Sequence, residues 1–366
     1  MFIPIFICFN VSFFNLPVFA GNVISELEET SNVNLDVSQI TSLSVDEALA
    51  IAISYNREII ELEEDLPFVI KEYEDLNHDL ANNPDTYYSI KTQIADLKNT
   101  IDNNDLSVQK NKDILRYDIT KLFISIVNAQ KEIELQEKNL SIMKRELDIS
   151  QIKQNKGILS ESEFNDKNTE YIKKLNDAEN KKIDLDNLYI DLNKALGIDL
   201  REKYSIELNF NYTEIGNIDI DEKIKIEIDG NFDITKQKQN LEVSEYEYST
   251  YNENTSYISK LSKEKDIQGQ LRDIKESEVN FSDSINKIYK NILSRETYDA
   301  KYNEELIYKQ KELDVLSLKY AIGKATLIEL DKKSLEIEEL QNKISENRFE
   351  HYLLMAKFQN SNLIDR

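Results

Sequence analysis

The sequence contains two tandem copies of one unit. The segment LSVDEALAIAISYNREI (43–59) aligns without a gap to IDIDEKIKIEIDGNFDI (218–234), and GILSESEF (157–164) aligns to GKATLIEL (323–330). A fixed order of two matching blocks in each half of the chain is the signature of a duplicated architecture. We therefore expect both copies to repeat the same arrangement of secondary structure.

Residues that end helices are scarce in this chain. Only seven glycines and four prolines occur among 366 residues, so long uninterrupted helices are expected. Apolar residues recur every seven positions in the first copy, which predicts coiled-coil packing of long helices rather than a thick globular core. The two rows are Ile119, Ile126, Ile133, Leu140 and Leu147, and Leu122, Ala129 and Met143.

Each copy is predicted to fold as a helix, a turn, a long helix, a second turn and a final helix. The signals in the first copy are the N-cap Ser44, the break at Pro84 with Asp85 as the next cap, the stop at Gly157, a cap at Ser160 or Ser162, and the stop at Gly197. In the second copy, the first helix is expected from Asp221 to a turn near 252–255, the long one to Ile322 and the last to Gln359. At 1.5 Å per residue, the long helices would span roughly 105 Å and the others roughly half of that.

These signals divide the chain into five segments. Residues 1–20 are predicted to be a signal peptide and 21–42 an extended segment, followed by the first repeat (43–198), a linker (199–217) and the second repeat (218–364). Within the linker, residues 204–212 alternate apolar and polar side chains, which predicts a short strand.

The first twenty residues are apolar and carry no charge. Val18 and Ala20 place small residues before a cleavage at Gly21, as in a secretory signal peptide. A membrane anchor is the alternative interpretation, although Asn10 and Asn15 disfavour a spanning helix. Cys8 is the only cysteine and lies in this segment, so the mature chain is expected to have no thiol chemistry.

Composition excludes several classes of function. A net charge of −24 argues against binding to nucleic acid, because no basic stripe is present to neutralise phosphates. We find no catalytic, cofactor or metal motif, so the protein is not expected to be an enzyme. The two histidines, His78 and His351, are interpreted as partly exposed helix residues.

The opening block of the first repeat resembles the signature of the TolC-like outer-membrane efflux family, L-[ST]-x-x-[ED]-A-L followed by N-[PR]-x-[IL]. The stretch from Leu122 through Gly157 to Leu196-Gly197-Ile198 is similar to the remainder of that family's unit. The resemblance covers about residues 40 to 364. It implies a mainly all-α fold, with long antiparallel coiled-coil hairpins in two tandem repeats that form a TolC-like α-barrel, and with a short strand between the repeats.

The same resemblance implies where partners bind. Proteins of this family are homotrimers whose glycine-containing helix tips meet a membrane-fusion adaptor protein, which connects them to an inner-membrane pump. The corresponding tip residues here are Lys156, Gly157, Ile158, Leu159 and Ser160 in the first copy, and Ile322, Gly323, Lys324, Ala325, Thr326 and Leu327 in the second.

One feature of the family is not found in this sequence. Family members carry two membrane strands of about ten residues, with alternating apolar faces, at the top of each repeat. Residues 78–92 are too short for such a pair, and residues 250–272 are too polar. Direct membrane insertion is therefore not expected, and the sequence predicts a TolC-like α-barrel that lacks the membrane strands.

These observations favour a passive efflux or secretion conduit, a trimer that exports small molecules or proteins together with an adaptor and a pump. The alternative is a non-conducting structural or adaptor coiled-coil protein of the cell envelope. In both cases we expect an exported protein, in the outer membrane or periplasm as the resemblance implies, or at the cell surface if the organism has no outer membrane.

Overall fold

The computed structural model describes residues 41–82, 87–253, 255–364 and 366. The predicted signal peptide, residues 21–40 and the predicted cap Asp85 lie outside the described residues. The described residues are 84% helical, as expected for a mainly all-α fold. Its elements are β1 (Ser42–Ser44), α1 (Val45–Ile53), α2 (Arg57–Asn82), α3 (Tyr87–Asn155), α4 (Glu161–Leu196), β2 (Ser205–Glu207), α5 (Ile220–Gly230), α6 (Phe232–Ser249), α7 (Tyr257–Ala321), α8 (Leu327–Gln359) and a 3-10 helix (Ser361–Leu363).

The prediction of one continuous first helix in each copy is wrong. In the first copy the chain breaks between α1 and α2, where the side-chain Oδ1 of Asn56 accepts the backbone N–H of Ile59 at 3.0 Å. In the second copy Asn231 caps α6 in the same way, accepting the N–H of Ile234 at 2.9 Å. A side-chain oxygen that satisfies a free N–H favours a new helix start at that residue. Because these residues are matched in the aligned blocks, the break itself is part of the repeat.

The two long helices confirm the predicted lengths. α3 has 69 residues and α7 has 65, so each spans about 100 Å. α2 and α4 lie beside α3, one in each half of its length, and α6 and α8 lie beside α7 in the same way. α3 also packs on α6 and α8. The helices therefore form one layer, in the order α4–α3–α8–α7 in the half that contains the glycine tips and α2–α3–α6–α7 in the other half.

The apolar rows predicted in α3 are buried or half-buried along their whole length. Ile119 and Ile126 have no exposed surface and Leu147 is 7% exposed, while Ile133 and Leu140 are half-buried. Residues outside these two rows are buried as well, among them Phe123 and Ile124. Burial around more of the helix is expected, because α3 contacts helices of its own copy on one side and helices of the second copy on the other.

The predicted strand at 204–212 is shorter than expected. Only Ser205–Glu207 forms a strand, and it pairs in parallel with Ser42–Ser44. The partner strand ends where Ser44 caps α1, so the following residues have no ladder to join. They cross the second hairpin instead, where the ring of Phe210 lies 4.7 Å from that of Phe349.

The connections at the end of the layer opposite the glycine tips are short. α2 ends at Asn82 and α3 begins at Tyr87, while α6 ends at Ser249 and α7 begins at Tyr257. The described residues of 78–92 and 250–272 are helix or short turn. Within the described ranges, no helix has a stretch that is long and apolar enough to cross a bilayer.

Candidate functional site

The two glycine tips have the same backbone geometry. Gly157 and Gly323 adopt left-handed conformations, with φ of 71° and 74°. At each tip, the N–H of the glycine and the N–H of the next residue, Ile158 or Lys324, donate to carbonyls of the last helical turn at 2.8–2.9 Å. This pair of bonds is the Schellman motif, which ends a helix at a residue with positive φ. The sequence prediction that these glycines stop α3 and α7 is therefore confirmed.

A capping box begins the returning helix at each tip. Ser160 and Thr326 accept the backbone N–H of Glu163 and Glu329, and each glutamate bonds back to the N–H of the cap. These backbone hydrogen bonds, together with those from the cap hydroxyls, lower the pKa of both glutamates. Because capping boxes satisfy free donors at a helix start, each tip is a defined turn.

The predicted tip residues differ in how much surface they expose. Ile158 and Ile322 are 70% and 67% exposed, although both are large apolar side chains. Leu159 and Ala325 are only half-buried, so they offer less surface than expected. The remaining predicted residues, Lys156, Gly157, Ser160, Gly323, Lys324, Thr326 and Leu327, are exposed.

Both tips lie at the same end of the helical layer. Ion pairs join α3 and α8 just before the tips, so the last turns of α3 lie beside the first turns of α8. The N···O distances are 2.6 Å for Arg145–Asp331, 2.7 Å for Lys332–Glu146 and 2.5 Å for Lys138–Glu338. The structure thus brings the two predicted halves of the site together.

A second surface, which the sequence did not predict, runs along the two edges of the layer. α4 forms one edge in the tip half, and α7 forms the other edge along its whole length. Both helices expose several large apolar side chains along this part of their length. On α4 they are Ile172, Leu175, Ile183 and Ile190, and on α7 they include Leu293, Tyr298, Ile307 and Tyr308.

Ion pairs across the layer give the relative heights of these apolar residues. They join α4 to α3 (Lys181–Glu132, 3.0 Å), α3 to α8 (Lys138–Glu338, 2.5 Å) and α8 to α7 (Glu336–Lys309, 3.0 Å). Neighbouring helices are antiparallel and share one rise per residue, so positions can be counted across from one edge to the other. Roughly level pairs are Ile190 with Leu293, Ile183 with Tyr298, Leu175 with Ile307 and Ile172 with Tyr308.

The interpretation of both histidines as partly exposed is wrong for His351. Its side chain is 2% exposed, and its Nε2 lies 3.1 Å from the Oε1 atom of Glu296. The same carboxylate oxygen accepts the N–H of Ile215 at 2.6 Å, and the ring of Tyr212 lies 4.8 Å from the imidazole. The linker therefore covers His351, and the hydrogen bond from Ile215 to Glu296 holds the linker on the second hairpin. No group of metal-ligating side chains large enough to hold an ion occurs in the described residues.

The duplicated layer of antiparallel helices defines a class of elongated, repeat-built helical folds. No family model matches the sequence, and no curated protein matches it either. Solved structures of outer-membrane proteins are similar to this chain.

Three of these structures show the extent of the similarity. The outer membrane protein VceC of Vibrio cholerae has a TM-score of 0.64 at 8% identity, covering 85% of this chain and 94% of its own. The CmeC outer membrane channel of Campylobacter jejuni has a TM-score of 0.68 at 10% identity, with 87% and 85% covered. The MtrE outer membrane channel of Neisseria gonorrhoeae, in its open state, has a TM-score of 0.56 at 10% identity, with 87% and 89% covered. The chain therefore has the TolC-like fold of these channel proteins.

Proposed function

We propose that this protein is a passive, homotrimeric conduit of the cell envelope, which works with a membrane-fusion adaptor and an inner-membrane pump. The observation that carries the proposal is the pair of level apolar edges on a TolC-like helical layer. Transport through such a protein would depend on the shape and charge of its lumen rather than on catalysis.

The edges support a closed ring. In this proposal, the α4 edge of one copy packs on the α7 edge of the next, so apolar residues that are exposed in the single chain become buried. Such a head-to-tail contact joins two different surfaces and closes into a ring when the rotation between copies fits. Because the apolar residues of the two edges are level, the contact adds no shift along the axis, which favours a closed ring over a filament.

The tips support docking to a partner. Ile158 and Ile322 point to a contact surface because large apolar side chains are rarely so exposed when clustered at one end of a molecule. If three copies form the ring, six tips surround one opening. The similar channels are outer-membrane proteins, and an adaptor at the opposite end of the ring would connect the lumen to a pump.

A cysteine cross-link across the two edges tests the ring. The variant Ile183→Cys/Tyr298→Cys is prepared without residues 1–20, which removes the only native cysteine. A short bifunctional maleimide should then join copies into dimers and trimers, with the ladder ending at three on a denaturing gel. The matched control, Ile183→Cys/Leu261→Cys, also has two exposed positions, but they are at different heights and should give no ladder.

Three results would contradict the proposal. Failure of the level pair to cross-link beyond the control would mean that the edges do not meet. A ladder that continues far beyond three would mean an open polymer rather than a ring. A closed trimer that is solid in end-on images would favour a non-conducting structural protein of the envelope.

A further inference from the structure

The glycine tips differ from the rest of the chain in charge. Acidic residues are frequent overall, with 69 Asp and Glu among 366 residues, or about one in five. Residues 149–160 and 315–328 contain none, although several would be expected at that frequency. Each segment has two lysines instead, namely Lys153 and Lys156 at the first tip and Lys319 and Lys324 at the second. The turns themselves are thus basic, and the nearest carboxylates, Glu161, Glu163 and Glu329, lie just beyond them at the start of the returning helices.

The four lysines are available to a partner. All four side chains are exposed, and in the part of the chain that the structure describes none of them forms an ion pair. Hydrogen bonds from Thr326 lower the pKa of Glu329, and the charge of nearby Lys319 adds to this effect. Elsewhere in the helices that meet at the tips lysines are commonly paired, as Lys144 of α3 is with Asp148 and Lys333 of α8 is with Glu312. Lysines in a last helical turn also stabilise the negative end of the helix dipole. That role accounts for Lys153 and Lys319, but not for Lys156 and Lys324, which follow the helix ends.

Exposed apolar side chains lie beside these lysines. Ile158 and Ile322 belong to the turns themselves, while Ile152 and Leu318 are 54% and 70% exposed in the turns that precede them. Protein contact surfaces commonly have an apolar core and a polar rim, and charges in the rim face opposite charges on the partner. The apolar patch is stabilised when a partner buries it. The lysines around it attract a partner that carries the opposite charge.

We propose that the partner of the tips presents an apolar patch surrounded by Asp and Glu side chains. This inference rests on the proposed conduit function and specifies the chemistry of its docking partner. Carboxylates opposite the lysines would steer association and set its orientation, and the rest of the acidic surface of the tube would repel the same partner. Docking would then be confined to the tips, and it would weaken with increasing salt.

Photo-cross-linking in the cells that produce the protein tests this proposal. Tyr320 is exposed at the second tip, so the larger side chain of benzoylphenylalanine can replace it there and extend into solvent. The cross-linked peptide is then sequenced by mass spectrometry. We expect apolar residues flanked by Asp or Glu. A peptide rich in Lys or Arg, or no cross-linked protein at all, would overturn the proposal.

Charge reversal provides the quantitative arm of the test. The four tip lysines are changed to Glu, and the control carries four Lys→Glu changes at exposed lysines without ion pairs, distant from the tips. These control positions are Lys98, Lys225, Lys265 and Lys275. Both variants undergo the same change in net charge, and both are first checked for unchanged helicity and oligomer size.

The tip variant should reduce cross-linking yield by about tenfold or more, because the contact is repeated around the ring. The control variant and a four-fold Lys→Arg tip variant should retain most of it. Equal yields in the tip and control variants would refute the charge assignment. Loss of docking in a tip variant that still forms a hollow trimer leaves the conduit function intact, whereas failure of the unmodified protein to form the trimer would refute that function separately.

Discussion

The sharpest prediction for the fold concerns Gly197, where α4 ends against the break between α1 and α2. Gly197 has a φ of 67°, and a Cβ atom there would lie 2.4 Å from Cγ and 2.8 Å from Cβ of Tyr55. An Ala in the left-handed conformation costs about 1–2 kcal/mol. The overlap adds about 1–3 kcal/mol, because the Cβ of Tyr55 can move only with its backbone. We therefore expect Gly197→Ala to lower the free energy of unfolding by about 2–5 kcal/mol.

Gly157→Ala is the matched control, since Gly157 has a φ of 71° but no atom within 4 Å of the added Cβ. Only the backbone strain remains there, so its cost should be about 1–2 kcal/mol. Both variants are compared by urea unfolding, followed by far-ultraviolet circular dichroism at one protein concentration. A double-mutant cycle of Gly197→Ala with Tyr55→Gly should recover the overlap term as a coupling free energy. Equal losses at Gly197 and Gly157, or no coupling to Tyr55, would refute the reasoning.

Two further predictions concern a pair of caps and one ion pair. Asn231→Ala should cost more than Asn56→Ala, about 2–3 against about 1 kcal/mol. The reason is that Asn231 also donates to the carbonyl oxygen of Ser361 at 3.0 Å from a buried position, and urea unfolding of both variants at neutral pH measures the difference. At Glu134, hydrogen bonds from Lys138 and Lys131 lower the pKa from 4.5 to about 2. A lowered carboxyl pKa stabilises the fold above the unfolded-state pKa, and this contribution is lost as the pH falls towards the folded-state pKa. The stability gap between the wild type and Glu134→Gln should therefore close between about pH 4.5 and 2, and a gap that stays constant would contradict this assignment.

Local signals in the sequence predicted the repeat and its tips correctly. Gly157 and Gly323 were identified because only glycine adopts positive φ without strain, and because they occupy matching positions in the two copies. Ser160 was expected as a cap and forms one, with Glu163 at the position that a capping box requires. These features depend on a few neighbouring residues, so a single sequence is sufficient to find them.

Features that depend on distant contacts were missed. Asn56 and Asn231 were recognised as matching residues, but an isolated Asn does not break a helix unless packing favours the break, and here Ile59 and Ile234 are buried beside it. The burial of His351 depends on a linker far away in the sequence. The exposed side chains on α4 and α7 are of the same apolar types as those of the internal rows, so the sequence pattern alone could not separate the edges of the layer from its interior.

The most direct test of the conduit function is an end-on image of the assembled protein. The protein is purified without residues 1–20, and its particles are examined by negative-stain electron microscopy alongside a mass measurement in solution. The conduit function predicts particles of three copies with threefold symmetry and an open centre, which appear as rings when seen end-on. Single elongated chains, or solid bundles without a central opening at any copy number, would contradict it.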